Sequence, residues 1–441
     1  MSIGGFRRVL PLRTAVSTSA GLASAAINFL AAVEVAQLTS GHWAWVAILV
    51  AGVLIVLAAT NFAELNGLYP TAAAIRVWIG RGWNDQLARV ASLVYASTVL
   101  LVMAADAFVL AQAFGQALPH VPGLLLVALV VAAISAANLR GIRVSGAIQD
   151  LNALVLLATL MAFSLAVLWH HPLPPSLPRA AGSGGFWQAV AVGVFIYVGF
   201  EWVTPLAEEF RDARSIPKGM LIALGLVAIA YALFTAALEA LYPGARGLAD
   251  SFTPQLVVGR AAMGEIGYWW MMILTLTTAG TTFNGGLSTA SRFVYALARE
   301  RTLPPGWARL NRRLVPARAL LGLAALSLAL AGVVVASRHY QLLINVGAGV
   351  ESLMYALTAV LVLSLRRREP NRPRPFRALG GRYGIAAGGV IYLALGVGAL
   401  LGGPGLLAPA GLLALLLALA WGWVRLGMPR WTQGRAHVQR L

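Results

Sequence analysis

Residues 193–217, GVFIYVGFEWVTPLAEEFRDARSIP, decide how the rest of the chain is read. The stretch begins as an apolar membrane helix, then sets Gly199, Glu201, Thr204 and Pro205 where lipid requires unbroken hydrophobicity. The acids Glu208 and Glu209, a basic turn and Ile216-Pro217 follow. Inside a bilayer every backbone amide and carbonyl needs a partner, so a broken helix is tolerated only against protein or a water-lined cavity. The segment predicts a helix interrupted at mid-membrane.

The remainder supplies the membrane. The chain is 59% hydrophobic and 11% charged, with a mean hydropathy of +0.78, far from soluble averages. Twelve apolar stretches recur, each long enough to cross about 30 Å of hydrocarbon. They fall at about 15–38, 43–65, 88–116, 122–139, 147–169, 187–206, 219–242, 262–298, 317–337, 341–365, 383–402 and 405–425. The eighth is too long for a simple span and is expected to continue into the cytoplasm. No signal-peptide cleavage pattern closes the first apolar core. The fold class read from this is an all-α membrane protein with twelve transmembrane helices. A single domain spans 15–427, between an N-terminal segment 1–14 and a tail 428–441.

The net charge of +18 does not point to nucleic acid, because the basic residues alternate with the loops. One side holds Arg7, Arg8, Arg13, Arg76, Arg81, Arg89, Arg140, Arg143, Arg211, Arg214 and Lys218, then the clusters around 299–318 and 366–382. The other has little beyond Arg179, Arg246, Arg260 and Arg338. The positive-inside rule then places both termini in the cytoplasm, and lipid is the expected partner of the basic face. With no cysteine, disulfides and thiolate metal sites are excluded, and no cofactor or metal is expected. The six histidines, at 42, 120, 170, 171, 339 and 437, sit in loops or at span ends, which argues against an enzyme.

Five acids fall within spans: Glu34, Asp106, Glu201, Glu239 and Glu351. Ionisable groups at that depth usually face a cavity or each other. Without buried basic partners, such acids hold a cationic group or bind a proton. Glu34 and Glu239 lie near outer ends and read as structural. Asp106 and Glu351 stay open between structure and function, and Glu201, beside Gly199, reads as functional. Small and hydroxyl residues also crowd the first span, from Ser17 to Ala26, either for close helix packing or because this helix opens. An opened helix would offer free amides and the positive end of a half-helix to a carboxylate. The eighth span carries Thr275, Thr277, Thr278, Thr281, Thr282, Asn284, Ser288, Thr289 and Ser291. These either bond back to their own helix or line a polar path.

Several motifs in order resemble the amino acid–polyamine–organocation superfamily of secondary transporters, of the bacterial amino acid permease type. They are Ala63-Glu64-Leu65 with Tyr69-Pro70; Asn138-Leu139-Arg140-Gly141 with Ser145-Gly146; Gly199-Phe200-Glu201 with Glu208-Glu209 and Ile216-Pro217; Ser291-Arg292 with residues 295–299 and Leu303-Pro304; and residues 365–368 with Arg374-Pro375-Phe376-Arg377. The resemblance runs from about 14 to 380. It implies two five-helix inverted repeats, about 15–170 and 187–366, helices one and six broken at mid-membrane, and two further helices across 383–425. The family's Gly-Ser-Gly of helix one falls on Ala23-Ser24-Ala25, followed by Ala26, so a substrate carboxylate would meet amides around Ser24 in a backbone that alanine restricts. In helix six the carbonyls of Phe195, Ile196 and Val198 would take an ammonium beside Gly199. Phe195 falls where relatives carry an aromatic gate, with apolar packing as the alternative.

The lysine that serves proton-coupled relatives in helix five is absent; Leu156 stands near its place. Coupling is left to sodium near Thr281 and Thr282, to a proton at Glu201 or Asp106, or to exchange. The expected function is a secondary active permease or exchanger of amino acids or related amines, working by alternating access in a bacterial inner membrane. Ala23, Ser24, Ala25, Ala26, Phe195, Ile196, Val198, Gly199, Glu201, Asp106 and Asn284 are the candidate substrate residues. The buried acids tilt it mildly toward a cationic amino acid or polyamine. A neutral amino acid permease of the same fold is the alternative, and a receptor that binds without moving its ligand is the rival class. Sequence does not define an oligomeric state.

Overall fold

The computed structural model describes residues 2–3, 5–39, 43–173, 183–212, 214–248, 250–402 and 407–427. The expected tail 428–441, His42, Arg179 and His437 lie outside these residues. Two-residue strands β1 (Ser2–Ile3) and β2 (Phe6–Arg7) pair antiparallel; everything of size after them is helical. The first apolar stretch forms two short helices, α1 (Leu12–Leu22) and α2 (Asn28–Leu38), with an unwound turn between. Next come α3 (Ala44–Leu68), the short α4 (Ile75–Gly82), α5 (Asp85–Ala117), α6 (Gly123–Leu139) and α7 (Ile142–His170). The second half runs α8 (Ser183–Phe195), a 3-10 helix (Phe200–Leu206), α9 (Ser215–Leu241), α10 (Pro254–Arg299), α11 (Ala317–Ser337) and α12 (Tyr340–Arg368). α13 (Gly381–Leu401) and α14 (Ala408–Gly422) close the chain.

Among the described residues, nine helical segments are long and apolar enough to cross a membrane. The protein is thus an all-α, multi-pass integral membrane protein. The other three apolar stretches fall short for identifiable reasons. The first is broken, α6 has only 17 residues, and α10 carries the hydroxyl run and ends on Arg292 and Arg299. α10 also begins earlier than its apolar stretch. Residues 254–262 form a separate short helix that doubles back at Met263 (φ −143°) and Gly264 (φ 60°).

Small residues set the helix spacing. A Cβ on Gly219 of α9 would come within 2.4 Å of the Ala15 Cβ of α1, closer than any side chain allows, and the two helices touch there. α3 runs along α9 and α8, α5 along α12, α10 and α11, and α7 along α10, α9 and α1. The core lies where α1, α5, α9 and α10 surround the unwound turns. α13 packs on the outside against α12.

Candidate functional site

The first break follows from residues 23–27. The Ala23 and Ser24 amides still bond back to Ser19 and Gly21, whereas those of Ala25 and Ala26 make no backbone hydrogen bond. Where α2 resumes, Asp106 Oδ1 of α5 accepts from the Ile27 amide at 3.1 Å, placing a carboxylate at a helix N-terminus where the dipole favours it. Asn28 Nδ2 donates to Ala23 O at 2.8 Å and to Ile196 O at 2.9 Å. Thr281 Oγ1 of α10 donates to Gly21 O at 3.2 Å.

The second break faces the first. α8 ends at Phe195, the next three amides bond to carbonyls three residues back, and Gly199 turns the chain at φ 107° before the 3-10 helix. A Cβ at Gly199 would sit 2.8 Å from Leu22 O, so a glycine is required both for the turn and for the approach of the two breaks. Tyr197 anchors the break by donating its hydroxyl to Ile48 O of α3 at 2.7 Å. Phe195 is half-buried at the end of α8, and its carbonyl already accepts the Val198 amide at 3.2 Å.

The structure therefore brings Ala23, Ser24, Ala25, Ala26, Ile196, Val198 and Gly199 into one region. Ser24 is fully buried; its hydroxyl and that of Tyr231 on α9 make no hydrogen bond among the described residues. Asn284 lies in a different group. Its Nδ2 donates to Ser145 O at 2.9 Å and Gln149 Oε1 at 2.8 Å, and its Oδ1 accepts from Asn138 Nδ2 at 2.8 Å. That amide is committed to a clamp among α6, α7 and α10. Most hydroxyls of the eighth stretch follow the simpler of their two readings: Thr275, Thr277, Thr278, Thr281, Thr282, Thr289 and Ser291 all bond to carbonyls three or four residues earlier.

Just beyond Gly199 lies a packed cluster of acids and aromatic rings. Glu201 is fully buried and accepts from Tyr95 at 3.3 Å and Tyr355 at 2.7 Å. Glu351, equally buried, accepts from Thr98 and from Trp202 Nε1 at 2.9 Å. The Tyr95 and Trp202 rings stack at 4.4 Å, with Phe293 edge-on to both. Of the two remaining acids within spans, Glu239 has a structural contact. Glu239 accepts from the Ala44 amide at 2.8 Å, capping α3, and Glu34 is exposed.

Past the 3-10 helix, a strap over residues 207–212 is held by buried ion pairs. Glu209 pairs with Arg292 at 2.9 Å, both almost completely buried. Glu208 pairs with Arg299 and accepts from the Ala72 amide at 3.1 Å. Burial pushes Glu208 upward, but the hydrogen bonds from Arg299 and Ala72 outweigh it and hold its carboxyl below the usual range. The Val9 and Leu10 amides both donate to Glu209 O, and the Arg211 amide donates to Leu10 O. Nearby, fully buried Glu64 accepts from Arg366 and Arg374, each at 3.0 Å through Nε, and from the Ala378 amide at 2.8 Å.

The sequence reading takes these arginines as motif positions and, for all but Arg292, as markers of sidedness, without assigning them acidic partners, and it does not single out Asn28, Tyr95 or Tyr355. The signal for Asn28 is an amide within the apolar run INFLAAV, residues 27–33.

Two membrane helices broken at facing positions, braced by a third and a tenth helix, define a multi-pass membrane protein built around an unwound centre. The chain matches the amino acid permease family over residues 11–427 and belongs to it. It is similar to the uncharacterized amino acid permease YecA of Bacillus subtilis, 32% identical over 43% of this chain and 45% of the relative. It is 24% identical to the branched-chain amino acid permease BcaP of Lactococcus lactis over 82% and 83% of the two chains. To the human large neutral amino acids transporter small subunit 2 it is 30% identical, over 42% of this chain and 34% of that one. The matched region thus spans less than half the length of YecA. The family is one of permeases rather than enzymes.

Proposed function

We propose that this protein is a secondary active transporter of amino acids with neutral, apolar side chains, working by alternating access. The observation that carries the reading is the direct apposition of the two breaks at Leu22–Ala23 and Ile196–Gly199. Half-helix ends and unwound backbone at mid-membrane are where substrates and coupling ions bind in such folds. The substrate carboxylate is assigned to the Ala25 amide and the Ser24 hydroxyl, with the Ala26 amide shared with Asp106, and the ammonium to carbonyls of Ala23, Ile196 and Val198. Phe195, half-buried beside them, would cover the substrate.

The helix neighbours support two five-helix inverted repeats followed by two further helices. Number the helices by span, so that α1–α2 is the first, α3 the second, and α8 with its 3-10 helix the sixth. Exchanging each span with the one five places on turns the pair α5–α12 into α10–α7, α5–α11 into α10–α6, and α1–α9 into α8–α3. All of these pairs are in contact. With basic loops on one side, both termini are assigned to the cytoplasm of a bacterial cell.

The neutral preference departs from the tilt set by the buried acids. Glu201 accepts through both carboxylate oxygens, and Glu351 and Asp106 each accept through one, the other oxygen of each making no hydrogen bond among the described residues; no acid is left wholly without a partner. BcaP and the human relative, by their names, handle branched-chain and large neutral amino acids. The coupling ion is assigned to a proton at Glu201, with sodium at Thr281 and Thr282 as the competing outcome. Uptake of labelled leucine into proteoliposomes, competed with isoleucine, phenylalanine, arginine and putrescine, tests the substrate. Competition by arginine or putrescine alone would sink the neutral reading. The same assay across pH and sodium, with Glu201→Gln, tests coupling: the variant should lose the pH dependence, and an unchanged dependence removes Glu201 as the proton site.

A further inference from the structure

Asn28 is the first residue of α2 and is buried. At the start of a helix, a side chain ordinarily serves by accepting hydrogen bonds from free amides. Asn28 works in the opposite sense. Its Nδ2 directs its hydrogens at two carbonyls, Ala23 O at 2.8 Å and Ile196 O at 2.9 Å. One belongs to the first break and the other to the second, so a single amide group ties the two together. A primary ammonium offers three such donors and a charge; an amide nitrogen offers two and none. Amine cargo and the Asn28 amide therefore compete for the same acceptors. Somewhere for the displaced amide to go is also present: the Tyr231 hydroxyl lies within interaction reach of Asn28 and Ser24, and beyond that group the hydroxyls of Tyr231 and Ser24 have no other hydrogen-bond partner among the described residues.

We infer that the Asn28 amide is the carrier's internal substitute for the amine of its cargo, linking the two broken helices when no cargo does so and thereby letting the carrier change sides without one. The inference rests on the transport reading above. A buried carbonyl that loses its donor is costly, and here two would lose theirs together. A carrier with neither cargo nor amide would visit its closed form rarely, and so would return slowly after release. A carrier that always holds cargo, as in exchange, is spared that step.

The test uses the full-length protein in proteoliposomes with labelled leucine outside. Exchange is measured with unlabelled leucine inside, net uptake with none. Asn28→Leu keeps the side-chain volume and removes the donors; Asn28→Ala carries the same measurements should the leucine variant not fold. Net uptake should fall at least tenfold more than exchange. An equal fall in both, or no fall, overturns the inference. A second arm does not need transport. The chain has no cysteine, so Ala72→Cys gives a single label site, buried under the strap at Glu208. Without amino acid present, maleimide should modify it several-fold faster when Asn28 is leucine. Equal rates overturn the inference even if leucine proves not to be a substrate, whereas faster labelling with no leucine transport would leave the tie standing and refute only the transport reading.

Discussion

The Glu209–Arg292 pair gives the most direct energetic test of how the strap is held. Both side chains are nearly inaccessible, at 3% and 1% exposure, so water can relieve neither charge if its partner goes. Removing one member of such a pair typically costs about 3–5 kcal/mol, most of it the price of the stranded charge. Arg292→Met should fall at the upper end, because Arg292 also donates to Ser288 O at 3.1 Å and lies 6.0 Å from the Phe6 ring centre. Glu209→Gln should cost about 2–3 kcal/mol, since the amide oxygen still accepts from Arg292 Nε. The double variant strands no charge and should recover at least about 2 kcal/mol of the summed losses. Equilibrium unfolding in mixed detergent micelles, run as a double-mutant cycle, reads this coupling directly. A coupling energy under about 0.5 kcal/mol would refute the argument, because it would mean that the two charges do not depend on each other.

Gly199→Ala places a methyl group 2.8 Å from Leu22 O at φ 107°, a region that costs a side chain roughly 1–2 kcal/mol. The breaks must separate to admit it, so leucine uptake should drop more than tenfold while the detergent-solubilised protein stays monodisperse; wild-type uptake would refute the required contact. Glu208, with its carboxyl held below the ordinary value near 4.3, should stabilise the fold above that pH and lose its contribution as pH falls through the lowered value. Melting temperature should accordingly decline in the acid range, and Glu208→Gln should flatten that decline; an unaltered acid limb would count against this ion pair.

Much of the fold was legible because the bilayer leaves few options. Long apolar stretches had to be helices, and Gly199-Phe200-Glu201 could not continue one. The break at residues 23–27 was less legible: Ala23-Ser24-Ala25 also reads as ordinary close packing, and only the apposition of Gly199 to Leu22 distinguishes the two. The acids divided similarly. Glu239 was recognisable from its position near a span end, whereas the phenol partners of Glu201 come from α5 and α12, more than a hundred residues away on either side. Asn284 shows the reverse problem. Its neighbourhood of hydroxyls suggested the cavity, but which face of α10 it occupies depends on α6 and α7, and those helices claim it. Spacing along one helix does not reveal what stands opposite.

The stitch between residues 9 and 10 and the strap has a mechanical consequence. Residues 9 and 10 lead directly into α1, and the strap leads directly out of the sixth span. Those two spans are also tied at their unwound centres. A pair of rods fastened at two well-separated points loses the freedom to pivot about either one. Whatever motion opens this protein must therefore carry both rods together as one stiff lever, and shortening the leader would loosen the far fastening while leaving the inner one intact.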